Sequence, residues 1–114
     1  MGRNPEGGSV RLRAKVDSNH GEIVAAFKAM GVAVQSLAQM GGGVPDLLVA
    51  VGGVTWLIEV KAGKGTETDA QKKFAEAWTG CRAIVRDVEG VETVVKTMRQ
   101  QATRLAAFAN TRRV

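Results

Sequence analysis

Asp46, Glu59 and Lys61 stand at the ends of two short apolar segments otherwise built for burial. Two carboxylates can hold a divalent cation, and an ammonium beside them can orient a water or balance an anion. Gly52-Gly53 separates the segments and is a strong signal for a two-residue hairpin turn. With that turn, opposed residues have numbers summing to 105, so Val51 faces Val54 and Asp46 faces Glu59. Leu47, Val49, Val51, Val54, Trp56 and Ile58 then share one apolar face, which belongs to a core. Asp46, Leu48, Ala50, Thr55, Leu57 and Glu59 share the other, and Lys61 points the same way. Carboxylates directly opposite, at roughly 5 Å, repel one another. A raised pKa on one of them, Lys61 alone, or a divalent cation between them would relieve the strain. The plainer alternative is a solvated strand end, where a Glu59–Lys61 pair contributes little. The Pro-Asp step, three preceding glycines and a consistent register favour a site.

The elements that must position these groups follow from periodicity. Ile23, Val24, Phe27 and Met30 recur at helical spacing from Asn19, and Gly31 ends the run. Residues 32–40 alternate as a first strand, and Gly41–Gly43 form a loop. Strands over 46–51 and 54–61 make the hairpin. A helix follows from Asp69 to about Thr79, with Phe74, Ala77 and Trp78 on its apolar side. Residues 82–86 form a short buried strand, and a long helix begins near Val88. The order α-β-β-β-α-β-α describes an α/β or α+β sandwich around a small mixed sheet. Asn19 to Glu22 and Thr68 to Gln71 both have capping-box spacing. Phe27, Phe74, Trp78 and Cys81 are expected in the core. Val91, Val95, Met98, Ala102, Leu105 and Ala109 follow a coiled-coil seam, which can pack on its own sheet or on a second subunit.

A chain of 114 residues suits one domain. One cysteine excludes a disulfide framework or a cysteine zinc cluster. Neither a signal peptide nor a membrane-spanning run is visible, so a cytoplasmic protein is expected. The net charge of +5 points to a polyanionic partner. Arg11, Arg13 and Lys15 on the N-terminal arm would contact phosphates. Lys64, Lys72 and Lys73 follow the Glu59–Lys61 strand and could hold a substrate backbone, although a solvated helix face is the simpler role for the last two. The absence of tyrosine and the scarcity of aromatics leave little for base stacking.

Pro45-Asp46, twelve intervening residues and Glu59-Val60-Lys61 resemble the PD-(D/E)XK nuclease signature. The blocks "NHGEIVAAFKAMG", "GGGVPDLLVAV", "WLIEVKAG" and "DAQKKFAEAW" resemble the small VRR-NUC proteins related to archaeal-type Holliday junction resolvases. The resemblance covers approximately residues 13–92. It implies a restriction-endonuclease-like core with a four-stranded sheet: a basic arm over 1–16, one nuclease domain over 17–110 and a basic tail over 111–114. It further implies a metal-dependent endonuclease that hydrolyses DNA, with branched or four-way junctions as candidate substrates, and a homodimer. Asp46, Glu59 and the Val60 carbonyl would bind Mg²⁺ or Mn²⁺, with Glu22 as a further contact. Lys61 would orient the attacking water, and Gln71 would assist it. Glu67 departs from the pattern, because relatives carry an apolar residue there. The rival readings are a non-catalytic nucleic-acid-binding module and a subunit of a replication or repair assembly.

Overall fold

The structure is a computed structural model and describes residues 18–113. Its elements are α1 (His20–Ala29), β1 (Ala33–Ser36), β2 (Leu47–Val51), β3 (Val54–Val60), α2 (Asp69–Ala77), β4 (Arg82–Val85) and α3 (Val88–Arg113). This is the expected order. The strands form one mixed sheet in the order β1-β2-β3-β4. The first three are antiparallel neighbours, and β4 returns parallel to β3 after the α2 crossover.

The hairpin register is the expected one, with Val51 opposite Val54 and Leu47 opposite Ile58. Gly52 and Gly53 have φ of 60° and 85°, the left-handed values that this kind of turn requires. Gly52 also leaves room for the last helix, since a Cβ there would lie 2.7 Å from the Ala102 Cβ. Leu47, Val49, Ile58, Val60 and Val85 supply the inner face of the sheet and are buried. Ile23 and Phe27 of α1, with Val91, Val95 and Met98 of α3, cover that face. Burying Phe27 alone contributes about 2–3 kcal/mol. Trp56 Nε1 donates to Gln101 Oε1 at 2.8 Å and ties β3 to α3.

Several expectations change. The first strand stops at Ser36: the Leu37 amide still donates to the Asp46 carbonyl, but Pro45 has no N–H to continue the ladder. Helix α2 buries no residue. Phe74 is half-buried and stacks on Trp78 at 5.5 Å, while Trp78 and Cys81 are exposed, so these three are not core. The sheet face carrying Glu59 also carries Arg82, and α2 is held there by polar contacts at its first turn. The Asn19 side chain makes no cap bond to α1 and is used elsewhere. The first half of the α3 seam packs on its own sheet, whereas residues 103–110 are exposed. With 26 residues α3 is about 39 Å long and remains helical through Arg113. No helix among the described residues is long and apolar enough to cross a membrane.

Candidate active site

Pro45 is buried and delivers Asp46 to the start of β2, at the rim of the sheet. Asp46 is half-buried, and its Oδ2 accepts the Val60 amide at 2.8 Å. This bond extends the hairpin beyond its ladder and places the carboxylate beside the end of β3. Glu59 is 1% exposed, in spite of its charge-bearing side chain. Gln71 Nε2 donates to Glu59 Oε2 at 2.8 Å, while Glu59 Oε1 is buried without a partner among the described residues. An unpaired carboxylate oxygen in such a place is costly unless something else binds it. Burial first, and then the Asp46 carboxylate, push the Glu59 pKa up to about 8; Lys61 and Arg82 oppose the shift. Glu59 therefore holds its proton well above the usual carboxylate range.

Lys61 leaves β3 with its amide bound to the Val85 carbonyl at 3.1 Å. Its side chain is 9% exposed, and its ammonium makes no hydrogen bond or ion pair among the described residues. It lines a cavity of about 380 Å³ with Asp46, Gly41–Gly43, Thr68 and Gln71. The cavity wall depends on Gly43, whose φ is 83°. A Cβ there would stand 2.2 Å from the Ala70 carbonyl oxygen. Gly43 thus lets the loop press against the first turn of α2.

Gln71 performs both tasks that its sequence context offered. Its Oε1 accepts the Thr68 amide at 2.8 Å, and its own amide donates to Thr68 Oγ1 at 3.2 Å, completing the capping box. Its Nε2 remains free for Glu59. The helix cap therefore fixes the amide that faces the site.

These donors fit a hard divalent cation. The unpartnered Glu59 oxygen and the adjacent Asp46 carboxylate would suit a cation such as Mg²⁺, which takes one or two carboxylates and completes its shell with waters. Glu22 is exposed in the first turn of α1. Among the described residues no three acidic, histidine or cysteine side chains converge, so Glu22 does not join Asp46 and Glu59 in a cluster. Lys64, Lys72 and Lys73 are exposed. Arg11, Arg13 and Lys15 lie outside the described residues.

Two features have no counterpart among the expectations from sequence. Glu67, the residue that departs from the family pattern, forms a half-buried ion pair with Arg82. Asn19 Nδ2 donates to the carbonyls of Lys61 and Arg86, at 3.2 and 2.8 Å. The signal for the first was present: Arg82, Ile84 and Arg86 alternate towards the same side of a strand next to β3.

No protein-family profile matches this sequence, and no curated protein matches it. Among solved structures it is similar to a VRR_NUC domain, with 26% identity and a TM-score of 0.58. The match covers 70% of this chain and 97% of that domain. The likeness expected from the sequence blocks therefore holds in three dimensions: this chain is similar to a VRR_NUC domain, a nuclease-like domain of the PD-(D/E)XK type.

Proposed function

We propose that the protein is a divalent-metal-dependent endonuclease that hydrolyses DNA phosphodiester bonds, with branched or four-way junction DNA as its preferred substrate. The observation that carries this reading is the buried Glu59, with one oxygen unpaired among the described residues, set against Asp46 and within electrostatic reach of the buried Lys61.

Asp46, Glu59 and the Val60 carbonyl would hold Mg²⁺ or Mn²⁺, with Glu22 at most an outer contact, since it does not cluster with them among the described residues. A bound divalent cation would supply a water of lowered pKa and Lewis-acid stabilisation of the phosphoryl oxygens. The chain supplies the rest. Lys61, which lines the cavity, orients the attacking water and offsets the charge that develops on the phosphate. Gln71 fixes the Glu59 carboxylate so that its free oxygen keeps one direction. The exposed Lys64 and Lys72 would hold the substrate backbone by charge rather than by reading bases.

The test is cleavage of labelled duplex, single-stranded, flap and four-way junction DNA in Mg²⁺ or Mn²⁺, with Lys61→Ala beside the wild type. The variant is expected to fold and bind metal but to cut about 10²–10³-fold more slowly. Salt-sensitive binding without cutting by the wild type, in both metals, would replace the enzyme with a binding module. Cutting that appears only with added partner proteins would point to a subunit of a repair or replication assembly.

A further inference from the structure

The loop that joins β3 to α2, residues 61–68, carries Lys61 at its start and the cap of Gln71 at its end. Such a loop, rich in glycine and exposed over residues 63–66, has no packing of its own to hold it. It is held instead by side chains from elsewhere. Arg86, directly after β4, donates from one guanidinium nitrogen to the carbonyls of Gly63 and Gly65, at 2.9 and 2.8 Å. The Arg86 carbonyl in turn accepts Asn19 Nδ2 at 2.8 Å, and the same nitrogen reaches the Lys61 carbonyl at 3.2 Å. Asn19 thus joins the ends of β3 and β4 at the point where Lys61 turns into the cavity. The two carbonyl acceptors fix which end of the amide faces them, since an oxygen there would repel both. Asn19 gives up its role as a helix cap for this contact. The Glu67–Arg82 pair anchors the far end of the same loop to β4.

We propose that Asn19 and Arg86 form a positioning clamp, which fixes the Lys61 backbone and the 62–65 loop so that the Lys61 ammonium stays in the cavity. The inference rests on the nuclease reading above and adds two residues to its machinery. Neither residue touches the reacting atoms; both act through Lys61. A displacement near 1 Å of a group that orients a nucleophile can cost about 100-fold in rate. The loss should fall on kcat, because the clamp orients a group and makes no contact with substrate.

The experiment compares wild type, Asn19→Ala, Asn19→Asp, Arg86→Ala and the double variant Asn19→Ala/Arg86→Ala. Each is measured for kcat and KM in Mg²⁺, thermal unfolding, and amide hydrogen exchange at Lys61 and Gly65. Gly65 is a local reporter because its amide bonds the Ala62 carbonyl at 3.0 Å within the loop. The expected result is a kcat lowered about 10- to 100-fold at nearly constant KM, with faster exchange at Gly65 and an unchanged β2–β3 ladder. The double variant should be little worse than its more damaged parent, because both residues serve one clamp. Asn19→Asp keeps the size of the side chain but turns a donor into an acceptor facing two carbonyls, so it should be at least as slow as Asn19→Ala. Full kcat in folded Asn19→Asp and Arg86→Ala would overturn the proposal. If the wild type cuts nothing, the nuclease reading fails and exchange alone judges the clamp: unchanged Gly65 protection in the variants would overturn it.

Discussion

Glu59 concentrates the chemistry of this fold into one side chain. Its carboxyl group is buried, bound on one oxygen by Gln71 and unpaired on the other, with a pKa raised from 4.5 to about 8 by burial and by Asp46. Between about pH 4.5 and 8 the folded protein keeps a proton that the unfolded chain has released, so metal-free stability falls as pH rises through that window. Each tenfold change in proton affinity is worth about 1.4 kcal/mol, so the loss amounts to a few kcal/mol. A divalent cation would take the place of the proton, so Mg²⁺ should restore stability at pH 8 and release protons on binding. Urea midpoints in chelator across this range should decline for the wild type and stay nearly flat for Glu59→Gln. Parallel curves would remove Glu59 as the source. Lys61 lines the neighbouring cavity with Asp46 and Gln71, and its own loss is expected to show in turnover rather than in stability.

At the scale of elements, the hairpin was legible because two apolar runs, a Gly-Gly turn and period-two alternation all agree on one register. That register alone sets Asp46 beside Glu59. Helix α2 was legible as a helix but not in its packing. Phe74 and Trp78 have core spacing, yet the sheet beneath them presents Glu59 and Arg82, and the helix is fixed by its capped first turn instead. Asn19 and Arg86 were hidden for a related reason: their contacts are to backbone carbonyls far along the chain, which no local pattern encodes. The loop contact at Gly43 can be tested directly. Gly41→Ala meets no neighbour and should cost only the left-handed penalty, about 1–2 kcal/mol. Gly43→Ala adds a collision with the Ala70 carbonyl, so it should cost more and also slow cleavage by displacing Gln71. Equal costs in urea unfolding, with equal activity, would show that the loop is not packed on α2.

Over the whole molecule, an elongated body of 63 × 31 × 24 Å carries a net charge of +5. The core has already used Val91, Val95 and Met98 of the helical seam. Ala102 packs against Gly52, so a two-fold dimer rests, as a proposal, on Leu105 and Ala109, and sedimentation should report twice the 12.1 kDa chain if it forms. Charge gives the sharper prediction. Lys64 and Lys72 are exposed, and Arg3, Arg11, Arg13 and Lys15 add four more positive charges outside the described residues. If these hold DNA by its backbone, binding should weaken linearly on a log–log plot of affinity against salt, by about 0.9 in slope for each phosphate neutralised. Deleting residues 1–16, which removes Arg3 as well, should then flatten the slope by up to about 3.6 units, and Lys64→Ala with Lys72→Ala by up to about two. Base sequence should matter little, because phosphate contacts position a protein without reading bases. These titrations belong in Ca²⁺ or chelator, so that binding is measured without turnover. A slope unchanged by the deletion would free the N-terminal arm from substrate contact and leave the DNA to Lys64 and Lys72.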